Sequence, residues 1–289
     1  MVASGKTGST AGKRTFANPA VLEFYAAMPF NLRDTAEQDA EATRAANPVA
    51  AYPVLEPLLV PGAQVLDVGC GAGWFANAIA WHYGGTVTGI DFNQVAVERA
   101  AEVAALLGLD NHFRVHDLFT FRPEPRFDLV ICHGVLHHTD DCLAGVRHLC
   151  RSVVAPGGHA MIGLYHAVGR RPFLDHFADL KESGASEDQM FAEYRALHGT
   201  LTDETHVRSW FRDQVLHPHE TQHTLAEILP VLADEGMELV ATSINEFRPF
   251  ESVEWLLEAE KTLGEVAETM LMMRTYYPGF FELLARKAT

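Results

Sequence analysis

The stretch that most constrains this chain is residues 64–75, QVLDVGCGAGWF. Residues 65–68 are apolar except for Asp67, which predicts a short buried strand. Gly69, Gly71 and Gly73 follow at alternate positions, and a helix is predicted to start at Trp74. Strand, glycine turn and helix together let backbone come close to a nucleotide-like ligand, because glycine carries no Cβ and takes positive φ. The spacing differs from the G-x-G-x-x-G of dinucleotide sites. No Lys-Ser or Lys-Thr pair follows, which excludes a phosphate-cradling P-loop.

The pattern Asp-x-Gly-x-Gly-x-Gly in residues 66–73, LDVGCGAG, resembles the first motif of the class I methyltransferases, which bind S-adenosylmethionine. The resemblance implies an α/β fold: a doubly wound, mostly parallel seven-stranded sheet whose last strand is antiparallel. It also implies that Asp67, Gly69 and Gly71 hold the amino-acid end of that cofactor, with Cys70 and Gly73 as further cofactor-binding residues of the turn. Two downstream stretches extend it. Residues 127–133 predict a strand buried on both faces, followed by a short turn with His137 and His138. Residues 155–158, APGG, lead into another apolar run. The resemblance is firm over residues 60–165 and loose over 223–289.

Between these motifs, residues 86–91 predict a second strand ending at Asp91, 24 positions after Asp67. A carboxylate there can accept hydrogen bonds from both ribose hydroxyls, with Phe92 beside it. The other reading of Asp91 is an N-cap, but Asn93 can cap the next helix (to residue 107) by itself. A third strand is predicted over 112–117, and the resemblance assigns Asp117 and Leu118 to the adenine. His133 lies at the carboxyl end of its strand, where doubly wound folds bind ligands, and is expected to contact the cofactor's amino-acid part. His137 or His138 is a candidate general base near the methyl group, since neutral imidazole titrates near physiological pH. The competing reading is that one packs and the other bonds backbone.

Four regions are expected: a disordered stretch at 1–18, an N-terminal helical lid at 19–60, the cofactor-binding core at 61–166 and 223–289, and a helical substrate cap at 167–222. In the lid, Tyr25 is a further catalytic candidate and Phe30 and Asn31 are substrate-binding candidates, unless these aromatics simply pack outside the core. Tyr165 and Arg170 at the cap's entrance are also substrate candidates. So are His217 and His219, from the cap's densest polar stretch, LHPHETQH. Pro218 keeps these histidines off one helical face and no H-E-x-x-H spacing occurs, so no metal site is expected. After the cap a helix is predicted over 225–236, a strand over 238–245, one long helix over 252–274, and a last strand over 276–286.

Composition narrows the partners. With 22 basic against 38 acidic residues the formal charge is −16, a surface that repels phosphate backbones, so nucleic acid is not an expected substrate. No run approaches the roughly 18 apolar residues that span a bilayer. The N-terminus has no apolar signal-peptide core, and none of the four cysteines forms a C-x-x-C pair, so a reduced, cytoplasmic protein is expected. The expected protein is a methyltransferase using S-adenosylmethionine on a small-molecule acceptor, with the long helix near the C-terminus covering the cap or forming a homodimer face. Two rivals stay open: intramolecular chemistry releasing methylthioadenosine, and a non-catalytic cofactor-binding partner protein.

Overall fold

In the computed structural model, which describes residues 18–199 and 203–289, the opening stretch forms strand β1 (Val65–Val68), the glycine turn and helix α3 (Trp74–Tyr83). Residues 1–17 of the expected disordered stretch lie outside the described residues. Asn18 does not: its side chain accepts the Ala20 amide and caps α1 (Pro19–Ala27). Helix α2 (Ala36–Ala45) starts at a reciprocal cap, Thr35 with Gln38, and lays Ala36 and Ala40 on Val103 and Leu107.

The other strands are β2 (Val87–Asp91), β3 (His112–Val115), β4 (Phe127–His133), β5 (Val154–Tyr165), β6 (Met237–Thr242) and β7 (Phe280–Lys287). They form one seven-stranded sheet in the order β3-β2-β1-β4-β5-β7-β6. The first five are parallel; β7 lies between β5 and β6 and is antiparallel to both. Strand order reverses between β1 and β4, so their carboxyl ends flank the crevice where such sheets bind ligands.

Alternation along β4 explains its apolar composition. Val130 and Cys132 pack with α5 (Cys142–His148) and α9 (Leu225–Asp234), whereas Leu129 and Ile131 pack with α3. Helix α4 (Gln94–Leu107) is capped by Asn93 and closed by Gly108 at φ 68°, as its alanine-rich sequence predicts. All four cysteines are buried and unpaired. The Pro-Gly-Gly expected ahead of β5 lies inside it, at a register shift against β4, where Gly158 nears the carbonyls of Asp128 and Ala155.

Helices α6 (Arg171–Glu182), α7 (Glu187–His198) and α8 (Glu204–Val215) form a layer with its own apolar cluster, centred on Phe173, Phe177, Tyr194 and Phe211. Two expectations need correction. The single helix over 252–274 is two, α10 (Val253–Glu260) and α11 (Leu263–Met272). The break follows Glu260, whose carboxylate is drawn inward to the His166 ring (2.9 Å) and the Leu225 amide, and Gly264 then packs on Val168. The last strand begins at Phe280 rather than 276, because Tyr276 is turned into the helical layer, where its hydroxyl bonds Gln214.

Candidate active site

A cavity of about 510 Å³ opens at the carboxyl ends of β1, β2 and β4 and continues beneath α1 and α8. Its walls include Tyr25, Phe30, Asn31, Asp67, Gly69, Cys70, Gly71, Asp91, Phe92, Asp117, Leu118, His133, His137, His138 and Tyr165. Four sequence candidates are not among its lining residues: Gly73, Arg170, His217 and His219.

The glycine turn supplies room rather than donors. The amides of Gly69 and Cys70 both bond the Ile90 carbonyl (2.7 and 3.0 Å), and that of Gly71 bonds Asp91 Oδ2 (2.9 Å). An added Cβ at Gly69 would stand 2.3 Å from Val135 Cγ2, whereas at Gly71, φ 52°, it would meet nothing within 4 Å and would occupy open space. Gly73 has a packing task instead: a Cβ there would strike Ala100 and Asn77, so its place is against α4.

Three carboxylates face this end. Asp67 is buried and its Oδ2 has no hydrogen-bond partner. Burial raises its pKa to about 7, against a lowering by the Ala76 amide and with a smaller upward push from Asp91. An orphaned carboxylate oxygen beside a cavity calls for a ligand carrying N–H donors. Asp91 takes the Gly71 amide on Oδ2 and the Asn93 amide (2.8 Å) on Oδ1, leaving each oxygen a second lone pair toward the cavity. Asp117 Oδ1 accepts the Phe119 amide (2.9 Å) at the start of the 3₁₀ turn Leu118–Thr120. His133 stacks on Phe75 and its Nδ1 is unpartnered; burial lowers its pKa, so it stands neutral.

The other end is aromatic. Tyr25, from α1, donates to Asp213 Oδ1 at 2.5 Å; Tyr165, from β5, reaches Asp213 Oδ2 at 3.4 Å. His138 Nε2 stands 3.8 Å from the same carboxylate and has no hydrogen-bond partner. Its Nδ1 lies 3.0 Å from the His219 carbonyl; a carbonyl only accepts, so Nδ1 carries the proton and Nε2 presents a lone pair. Burial drives the His138 pKa down to about 4. His137 is arranged oppositely. Its Nδ1 accepts the Tyr165 amide (3.3 Å), which leaves the proton on Nε2 and no free lone pair. Of the two candidate bases, only His138 can accept a proton as the site stands.

The remaining candidates support these side chains. Arg170 is fully buried, its guanidinium 3.9 Å from the centre of the Tyr165 ring and bonded to Glu220, the Gln214 carbonyl and the Pro278 carbonyl. It is therefore behind the wall, not in it. The His217 ring lies against that of His138, tilted by 31° with ring centres 3.8 Å apart, and its Nδ1 accepts the His219 amide. His219 Nε2 reaches the Thr139 carbonyl. A nitrogen of His138, one of His217 and an Asp213 oxygen lie within 4.8 Å of one another, a group that could hold a metal ion. Two imidazoles on one ion at about 2.1 Å would have ring centres roughly 4.5–5.5 Å apart, so these closer rings are not posed to share one.

Sequence reasoning missed Asp213, Trp210, Tyr52, Tyr276, Phe280 and Glu282, all cavity residues. Asp213 had a faint signal, an acid on the face of α8 that also carries Trp210, Gln214 and Val207.

Residues 65–158 match the family described as "Methyltransferase domain". A ubiquinone biosynthesis O-methyltransferase from Alkalilimnicola ehrlichii is 37% identical over 122 residues, which is 41% of this chain and 47% of that protein. The chain thus spans about half the length of the curated relatives it matches. Among solved structures, magnesium protoporphyrin IX methyltransferase from Synechocystis with bound S-adenosylhomocysteine aligns at a TM-score of 0.50 and 20% identity, over 89% of both chains. A S-adenosylmethionine-dependent methyltransferase from Methanosarcina mazei aligns at 0.51 and 20% identity, over 82% of this chain and 98% of the other. At such identities these likenesses speak for the fold. With residues 65–158 matching a methyltransferase domain inside this seven-stranded sheet, mostly parallel with β7 antiparallel, the chain has the class I methyltransferase fold.

Proposed function

We propose that the protein transfers a methyl group from S-adenosylmethionine to a small-molecule acceptor. The observation that carries this is the unpartnered Asp67 Oδ2 beside the side-chain-free space at Gly71, with Asp91 and Asp117 further along the same wall. Asp67 with the Gly69–Gly71 turn and His133 would hold the ammonium-bearing end, Asp91 the ribose hydroxyls, and Asp117 with Leu118 the adenine; Cys70 and Phe92 would flank it. When bound, S-adenosylmethionine supplies a methyl already made electrophilic by its sulfonium.

The chain's own task is placement. Holding an acceptor in line at one end of the cavity can remove roughly 7–11 kcal/mol of a barrier. Tyr25, Phe30, Asn31, Tyr165 and His138 line the acceptor end, with the α6–α8 layer, over residues 167–222, as its cap and residues 19–60 as its lid. Arg170, His217 and His219 would act on the acceptor through the residues they support. The matched family region stops at residue 158, before this layer, so the acceptor does not carry over from relatives. The formal charge of −16 speaks against nucleic acid, and no helix among the described residues is long and apolar enough to cross a membrane. A cytoplasmic location fits four buried, unpaired cysteines, and exposed Trp255, Val266 and Met272 on α10 and α11 would support a homodimer formed there.

The test is calorimetry with S-adenosylhomocysteine, then incubation of the protein with methyl-labelled S-adenosylmethionine and a small-molecule extract. Saturable binding and label in an organic product, with S-adenosylhomocysteine formed, are expected. Methylthioadenosine as the sulfur product, or binding without any turnover, would overturn the methyl-transfer reading.

A further inference from the structure

The acceptor end of the cavity holds two facing hydrogen-bond acceptors, and one of them, His138 Nε2, has no donor. His138 Nε2 presents a lone pair and Asp213 presents a carboxylate oxygen, 3.8 Å apart. The His138 nitrogen is unpartnered, and both residues are more than nine-tenths buried. Two facing acceptors repel unless something carrying hydrogens lies between them. Asp213 already accepts from Tyr25 and Tyr165, so a hydroxyl hydrogen could serve His138 but would bring no charge to the buried carboxylate. An amine or ammonium nitrogen has hydrogens for both.

Charge points the same way. Asp67, Asp91, Asp117, Asp213 and Glu282 line the cavity, and among the described lining residues there is neither Lys nor Arg. The nearby cation, Arg170, lies behind the Tyr165 ring and is committed to Glu220. An acceptor bearing a carboxylate or phosphate would meet the like charge of Asp213 with no lining cation to offset it. The walls beside Asp213 are Tyr25, Tyr165, Trp210 and Tyr276, whose ring faces attract a cation. Burial, with a smaller push from Glu220, raises the Asp213 pKa against the lowering by the Tyr25 hydrogen bond, His217 and Arg170, a cost that a bound cation relieves.

We infer that Asp213 and His138 form the binding site for an amine nitrogen of the acceptor, which makes the acceptor class a primary or secondary amine. Asp213 bonds one N–H and attracts the positive charge; His138 Nε2 bonds another. The methyltransferase reading gives the site its purpose, but the site's chemistry is testable without it.

The experiment titrates the full-length protein by calorimetry with 2-phenylethylamine, 2-phenylethanol and 3-phenylpropanoate, with and without S-adenosylhomocysteine. The amine is expected to bind at least tenfold tighter than the alcohol, and the carboxylate more weakly than either. Asp213→Asn, which keeps shape and loses charge, should weaken the amine at least tenfold and leave the alcohol within threefold. His138→Gln, the second variant should the first not fold, should cost the amine several-fold and leave S-adenosylhomocysteine affinity unchanged. Equal binding of amine and alcohol, no amine binding, or an amine preference surviving in Asp213→Asn overturns the inference. So does Zn²⁺ alone binding at one equivalent and being lost in both His138→Gln and His217→Gln, which marks a metal site. Amine binding without S-adenosylhomocysteine binding would overturn the proposed function and uphold this inference; the converse separates them the other way.

Discussion

Tyr25 and Asp213 lie 188 positions apart and share a hydrogen bond of 2.5 Å across the mouth of the cavity. One belongs to the first helix and the other to the last helix of the α6–α8 layer, so this bond joins the two segments that flank the sheet edge. Burial, reinforced by the neighbouring Asp213, raises the Tyr25 pKa well above its usual range, so the phenol keeps its proton and remains the donor. Tyr25→Phe removes that donor and leaves Asp213 one partner fewer. We expect a loss of about 1–2 kcal/mol in stability, read from urea unfolding, with S-adenosylhomocysteine affinity within threefold of wild type. A tenfold loss of cofactor affinity would assign Tyr25 to the other end of the cavity.

Asp67 gives a pH dependence with a definite sign. Its folded pKa, about 7, is above the ordinary 3.8. The stability it contributes is fully present below pH 3.8 and is lost as pH rises through 7. Binding of an ammonium-bearing ligand runs oppositely, because it needs the carboxylate. S-adenosylhomocysteine affinity should therefore rise by several-fold from pH 6 to pH 8, and Asp67→Asn should flatten the profile as well as lower it. An unchanged slope in that variant would remove Asp67 from the cofactor site.

Asp91→Ala deletes the partner of two backbone amides, Gly71 and Asn93, as well as the two remaining lone pairs. Cofactor affinity should fall at least tenfold, and the melting temperature should drop by several degrees because the amides are left unmet, at about 1–3 kcal/mol each. Circular dichroism should still report the wild-type fold. Undiminished affinity by calorimetry would refute the ribose assignment.

Gly69→Ala sets a methyl 2.3 Å from Val135 Cγ2 at φ 69°. Backbone strain and overpacking together predict a loss of roughly 2–5 kcal/mol. Adding Val135→Ala should return part of it, the part due to the collision, while the φ term stays. If the double variant is no more stable than the single one, the Val135 contact is not the cause.

Arg170→Ala leaves the Glu220 carboxylate without its cation and opens the space behind Tyr165. Breaking a buried pair from one side costs about 3–5 kcal/mol. The expected signature is a large drop in unfolding free energy with unchanged S-adenosylhomocysteine affinity in the folded fraction. A selective loss of cofactor binding would place Arg170 in the site after all.

The sheet was readable because each strand carries its evidence locally. β4 is apolar on both faces since both are covered, and the turn after β1 needs glycine where Val135 approaches. That Asp67, Asp91 and Asp117 share one end of the cavity was readable for the same reason: each lies at or near the carboxyl end of a strand on the same sheet edge. The acceptor end was not. Asp213 is one acid among several polar residues on α8, and nothing in the sequence pairs it with Tyr25 or His138. Histidine roles were equally hidden, since His137 and His138 are adjacent yet hold their protons on opposite nitrogens through partners 28 and 81 positions away. The division of the 252–274 helix depends on Glu260 reaching His166, a contact 94 positions long.

Gly279 stands at φ 59°, and a methyl there would meet the Arg170 Cα at 2.3 Å. The lead-in to β7 and the root of α6 thus touch backbone to backbone. Anyone transplanting residues 167–222 between related proteins would need to carry position 279 with them, although it lies more than fifty residues downstream. Compatibility of a graft here is decided at the seam, not by the loops it replaces.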